Sequence, residues 1–190
     1  MTRESIENSL KDYKRKEITA TDFPGFRRAG VLVLIFPTGE SLSVMLTVRT
    51  DSVESHKGQI SFPGGMMEDG DKDIIDTALR ESCEEVGLDA AQVEIIGILD
   101  DALVPSKFII TPVLGYIGRR PSPRPSKIEV AEVFEAPLDF FADDGNARTE
   151  EREVQGRRIP LWFYNYNGRT IWGATAGILR NLAKLRAQNG

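Results

Sequence analysis

Apolar and polar positions divide the chain into short β-type runs and a few amphipathic helices. Gly30–Phe36 (GVLVLIF) is almost wholly apolar and closes on Pro37-Thr38-Gly39, and Ser43–Arg49 (SVMLTVR) follows at once. The pair predicts a hairpin or neighbouring strands. Val93–Leu99 and Phe108–Gly118 predict further strands, and Glu129–Glu135 alternates like one. Arg152–Tyr166 and Arg169–Trp172, joined by Asn167-Gly168, predict a second hairpin. Trp162, Phe163 and Tyr164 are assigned to its packing. Thr2 to about Lys16 has helix-forming composition and ends in a basic run, predicting an exposed N-terminal helix. Over Asp71–Val86, the residues Ile75, Leu79, Ser82/Cys83 and Val86 share one helical face, and Gly87 supplies a stop. Pro137–Phe141 starts a short helix and Ala174–Arg186 an amphipathic one. Thr19–Arg28 reads as a turn-rich connection and the Pro-rich, basic Arg119–Lys127 as a loop. Strands interleaved with a few helices predict a mixed α/β fold without repeats. The expected organisation is a helix and connection over residues 1–28 and the main body over 29–190, one domain overall.

Composition narrows the function classes. A chain of 190 residues is most simply one domain. Its formal charge of −5 gives no general attraction to nucleic acid or to anionic membrane surfaces. The longest strongly apolar run, Val31–Phe36, falls far short of the ~20 residues of a membrane span. The charged N-terminus lacks the apolar stretch of a secretory signal. With one cysteine, Cys83, and one histidine, His56, neither an internal disulfide nor a His-rich metal site is available. Cys83 is expected to be a small core residue. The expectation is a cytoplasmic protein whose metal, if any, is held by oxygen.

The chemistry concentrates in Phe62–Leu88 (FPGGMMEDGDKDIIDTALRESCEEVGL). Glu81, Glu84 and Glu85 stand at i, i+3 and i+4, side by side on a helix and turned away from Ile75, Leu79 and Val86. Three adjacent carboxylates repel one another unless a cation neutralises them. Mg²⁺ or Mn²⁺ suits such an oxygen cluster and also engages substrate phosphate. Arg80 is four residues before Glu84 and can pair with it, and Gly64-Gly65 lets backbone approach closely. A solvated acidic helix face is the plain alternative.

The string Arg80-Glu81-Ser82-Cys83-Glu84-Glu85-Val86-Gly87-Leu88 resembles the core of the Nudix box, G-x5-E-x7-R-E-U-x-E-E-x-G-U. Ser82 stands where an aliphatic residue is usual, one extra residue lies between Gly65 and Arg80, and Asp71 is the nearest counterpart of the upstream Glu. Met45–Gly65 (MLTVRTDSVESHKGQISFPGG) is similar to the signature preceding the box in coenzyme A-type Nudix pyrophosphohydrolases, with Glu54 where that signature has Arg. Thr111-Pro112-Val113 and Ile171–Ala176 extend the likeness over nearly the whole chain.

The resemblance implies a Nudix-type α/β/α sandwich with a mixed sheet, and divalent-metal hydrolysis of a nucleoside diphosphate linked to another group. Carried onto this chain, it makes Glu81 and Glu85 the principal metal ligands and Glu84 an added ligand or water-orienting base. Arg80 would lock these side chains, and Glu129 is a carboxylate expected to face the metals. Arg49, His56, Gln59, Gly64 and Gly65 are the substrate-side candidates. Arg119, Arg120, Arg124 and Lys127 are weighed as contacts to an extra phosphate. The implied substrate is coenzyme A-like; ADP-ribose or a nucleoside diphosphate sugar is the alternative that Glu54 leaves open. A non-catalytic nucleotide-binding module is disfavoured by the intact Glu81, Glu84 and Glu85. Homodimers are frequent among related proteins, so the resemblance admits one.

Overall fold

A computed structural model describes residues 1–50, 58–154 and 157–185. The apolar run at Gly30–Phe36 lies inside a twelve-residue strand, β1 (Arg27–Thr38). β1 pairs antiparallel with β2 (Ser41–Arg49), confirming the first hairpin. On its other edge it pairs in parallel with β7 (Phe108–Tyr116), Arg27 opposite Phe108 through Ile35 opposite Tyr116. β2 also carries β3 (Ile60–Ser61) and β8 (Val130–Pro137), while β7 carries β5 (Glu94–Ile98) and β6 (Ala102–Val104). β4 (Gly64–Met66) adds to β1 beyond the span that β2 covers. One parallel pair among antiparallel ones makes the sheet mixed, as expected.

Alternation along β1 and β2 supplies two cores. Leu32, Leu34, Phe36 and Met45 face one side, where Ala78 and Val86 of α2 (Ile74–Val86) cover them. Val33, Ile35, Val44 and Leu46 face the other. There they meet Ile6 of α1 (Arg3–Lys11), Leu138 and Phe141 of α3 (Leu138–Ala142), and Ile178, Leu179 and Leu182 of α4 (Gly173–Lys184). This is an α/β/α sandwich. A second, three-stranded antiparallel sheet of β9 (Ala147–Val154), β10 (Arg157–Tyr166) and β11 (Arg169–Trp172) adds Tyr164 and Ile171 to that second core. The stretch Arg152–Tyr166 thus contains parts of two strands. Asn167 and Gly168 both take positive φ, 49° and 78°, which the predicted Asn-Gly turn requires. Among the described residues, no helix is long and apolar enough to cross a membrane.

The N-terminus departs from its expected form. α1 ends at Lys11 and buries Ile6, so it is a packed helix rather than an exposed one. The basic run that follows is a strap across Asp100 and Asp101. Tyr13 Oη donates to Asp100 Oδ1, Arg15 Nη2 to Asp101 Oδ1 at 2.7 Å, and the Ile18 amide to Asp101 Oδ2 at 2.8 Å. The Asp101 carboxylate is wholly out of solvent and also meets Arg28 at 3.6 Å and the Thr111 hydroxyl. Partners some eighty residues away explain why composition alone reads the run as helix.

Replacing Asp101 leaves Arg15, Arg28 and the Ile18 amide without their shared acceptor. Asp101→Ala is expected to cost about 2–3 kcal/mol in urea unfolding, the arginines' partial exposure holding the loss below that of a fully buried pair.

Candidate active site

α2 starts three residues later than its periodicity suggests. Asp73 caps it, its carboxylate accepting the amides of Ile75 and Asp76, so Asp71 stays outside the helix. At the other end Gly87 adopts φ 63°, its amide bonding the Cys83 carbonyl and the Leu88 amide that of Ser82. Ser82 is buried on the core face and donates to the Ala78 carbonyl at 2.6 Å. A hydroxyl is therefore tolerated at this usually aliphatic position because the helix itself satisfies it. Cys83 is half-buried rather than in the core.

The three box carboxylates do not share a solvent face. The Glu84 side chain is 58% exposed, Glu81 17% and Glu85 7%. Residues four apart on a helix point nearly the same way, so Glu81 and Glu85 both turn toward β4 and Glu84 turns out. β4 is two glycines and a methionine. Gly64 has φ 152°, and a Cβ there would lie 2.4 Å from the Gly30 carbonyl oxygen. A Cβ on Gly65 would lie 2.4 Å from the Glu81 carboxylate. The bare backbone lets the helix close in, and the Gly64 amide donates to Glu85 Oε2 at 3.1 Å.

Arg80 is held more tightly than pairing with Glu84 would require. Its Nε and Nη2 fork onto Asp71 at 2.8 and 3.0 Å, Nη1 reaches Glu81 Oε1 at 2.9 Å, and Glu84 lies at 3.5 Å. Asp71 also accepts from the Glu68 amide and the Thr77 hydroxyl, and the Arg80 guanidinium above all holds its carboxyl well below the usual carboxylate range. Asp71 was legible only as the nearest counterpart to the upstream Glu of the box; its place in a turn, not its spacing, brings it to Arg80.

Arg49 ends β2 and reaches Glu85 Oε1 at 3.5 Å, so it sits at the carboxylates. Glu129 lies in the turn immediately before β8 rather than in a strand, tied to β2 where its carbonyl accepts the Thr50 amide at 3.0 Å. Its charge is felt by both Glu81 and Glu85. The Gln59 carbonyl accepts the Arg49 amide at 3.0 Å. His56 and Glu54 lie outside the described residues. In the basic loop Arg119 bonds Gln92, Arg120 bonds Glu135, and the main chain at Arg124 and Ser126 bonds the end of α2.

Burial pushes Glu85 up to about 7, with the Gly64 amide and Arg49 opposing and the charges of Glu81 and Glu129 adding to the rise. Glu81 is raised too, by burial first, against the pull of Arg80. In both, burial outweighs the arginine beside the carboxylate, Arg80 at Glu81 and Arg49 at Glu85, and their oxygens suit a hard divalent cation. Among the described residues, no three acidic, histidine or cysteine side chains already converge as a ready-made metal cage.

An open groove of about 540 Å³ is lined by Val48, Gln59, Ile60, Glu132, Thr170 and Trp172. Val48 and Ile60 belong to the core opposite α2, so the groove opens on the far face of the sheet. Arg169, on its wall, is engaged by Glu132.

The NUDIX domain family model matches residues 26–162. Nudix hydrolase 15, mitochondrial, of Arabidopsis thaliana is 38% identical over 168 residues, covering 84% of this chain and 58% of its own length. The Uncharacterized Nudix hydrolase NudL of Pectobacterium atrosepticum is 39% identical over 161 residues, covering 83% and 81%. The chain spans about three fifths of the length of the plant relatives. A crystal structure of a MutT/nudix family protein from Enterococcus faecalis shares the fold with a TM-score of 0.53 at 17% identity, over 100% of this chain and 69% of that one.

Between pH ~4.5 and ~7 the metal-free native protein holds a proton on Glu85 that the unfolded chain has released. Its stability is therefore expected to fall as pH rises through that window, by up to about 3 kcal/mol at pH 8. Thermal unfolding in EDTA checks this. Glu85→Gln should flatten the dependence and raise the Tm at pH 8, and excess Mg²⁺ should do the same to the parent protein.

Proposed function

The chain belongs to the Nudix family, and from that premise we propose that it is a divalent-metal-dependent pyrophosphohydrolase. Its proposed substrate is coenzyme A or acyl-coenzyme A, cleaved at the diphosphate to 3′,5′-ADP and (acyl-)4′-phosphopantetheine. The observation that carries the hydrolytic reading is Glu85, a carboxylate buried against the two glycines of β4 beside Glu81, with one amide and one distant guanidinium as partners. Burying charge so incompletely matched costs stability, and a bound cation offsets that cost.

In this reading Glu81 and Glu85 are the principal ligands of Mg²⁺ or Mn²⁺, with Glu84 available to complete the set. The bound ion supplies neutralisation of the diphosphate charge and a more acidic water. Arg80, fixed by its fork onto Asp71, holds Glu81 in one orientation through the 2.9 Å bond. Glu84 and Glu129 are assigned, in the same reading, to orienting or deprotonating the attacking water. In this reading a substrate phosphate would exchange for the 3.5 Å contact of Arg49 with Glu85, and Gly64-Gly65 belongs to the substrate side of the site. Gln59, and His56 from the sequence pattern, belong to the substrate side.

The coenzyme A assignment is supported by the wording of Met45–Gly65.

A hydrolysis panel of coenzyme A, 3′-dephospho-coenzyme A, ADP-ribose, UDP-glucose and NADH with Mg²⁺ or Mn²⁺, read by product mass, tests the proposal. Preference for coenzyme A with release of 3′,5′-ADP is expected. Preference for ADP-ribose or UDP-glucose would overturn the substrate, and turnover of none would overturn the enzyme. Glu81→Gln is expected to lower kcat by at least ~10²-fold with little change in Tm.

A further inference from the structure

The segment Pro121-Ser122-Pro123-Arg124-Pro125-Ser126 places a proline at every second position. Proline has no amide hydrogen and fixes its own φ, so only the residue after each proline can donate, and these residues are held in an extended, stiff chain. Two of them are used. The Arg124 amide donates to the Val86 carbonyl at 2.7 Å and the Ser126 amide to the Glu85 carbonyl at 2.8 Å. These carbonyls belong to the last turn of α2, where no amide further along the helix remains to bond them. Packing agrees: a Cβ on Gly87 would lie 3.0 Å from both the Cβ and the carbonyl oxygen of Arg124.

Ser126 does more than cap. Its carbonyl accepts the amides of Glu129 at 3.2 Å and Val130 at 2.9 Å. One residue therefore donates to the main chain of Glu85 and accepts from the main chain of Glu129. The turn is anchored on its far side as well, where the Glu129 carbonyl takes the Thr50 amide and the Thr50 hydroxyl bonds the Ile128 carbonyl at 2.6 Å.

We infer that Ser126 is a positioning residue that, through its main chain and the stiffness of the prolines before it, sets how far Glu129 stands from Glu85 and so how well the carboxylates take up a divalent cation. The inference rests on the metal-binding reading of the site. It assigns the Pro-rich segment a task in metal uptake rather than in solvation or phosphate contact. Groups that orient ligands from behind are typically worth 10–100-fold in metal affinity.

Mn²⁺ binding, measured on the full chain by the EPR signal of free Mn²⁺ and without substrate, is the test. Ser126→Pro removes the amide and is expected to weaken Mn²⁺ about 10-fold. Pro123→Gly with Pro125→Gly keeps both donors but frees the chain, and is expected to weaken Mn²⁺ several-fold while far-ultraviolet circular dichroism stays unchanged. Ser126→Ala, which leaves the main chain intact, is expected to bind as the parent does. Parent-like affinity in a folded Ser126→Pro protein would overturn the inference. Should that variant not fold, parent-like affinity in the double-glycine variant would overturn it equally. Parent protein that takes up no Mn²⁺ would overturn the metal reading itself and this inference with it.

Discussion

The arrangement of this protein turns on one unfavourable placement: the carboxylate of Glu85 packed beneath the edge of a sheet. Almost everything around it limits that cost without removing it. The Gly64 amide gives one hydrogen bond, Arg49 gives a longer electrostatic contact, and two glycines clear the space. Full pairing with a guanidinium would have made a stable internal ion pair, and it would have left nothing for a cation to bind. The full fork is given instead to Asp71, which accepts from Arg80, Thr77 and the Glu68 amide. Arg80 is thereby rigid, and the carboxylate beside it inherits the rigidity.

The sandwich makes this placement tolerable. α2 is pinned by Ala78 and Val86 to Leu32, Leu34 and Phe36, and this packing holds it against drifting outward to hydrate Glu85. The opposite core, with α1, α3, α4 and the small sheet, keeps the sheet from yielding on the other side. A helix cap at Asp73 and a left-handed glycine at 87 fix where α2 begins and ends, so the register of its acidic residues against β4 is set at both ends.

Much of this was legible in the chain itself, and the exceptions have a common cause. The Arg80-Glu81…Glu84-Glu85 spacing, the Gly64-Gly65 pair and the stop at Gly87 are local patterns, and local patterns survive folding. The burial of Glu85 was not legible, because helical periodicity gives the direction of a side chain but not what packs there. What packs there is β4, too short and too glycine-rich to read as a strand. The strap at Tyr13–Ile18 and the bonds from Arg124 and Ser126 escaped notice for the same reason: each is settled by a partner far along the chain.

The parallel pairing of β1 with β7 has a consequence for how the molecule comes to exist. Its partners are roughly eighty residues apart, and nothing shorter in the chain can take the central place beside β1. During synthesis, the acidic helix emerges well before the strand that completes the sheet beneath it. Until residue 116 is available, the edge of β1 that β7 covers in the folded protein is open. Long-range closure of this kind slows folding, and unpaired edges are where nascent chains associate wrongly. The same strand that holds the machinery together thus sets the period in which the growing chain most needs protection.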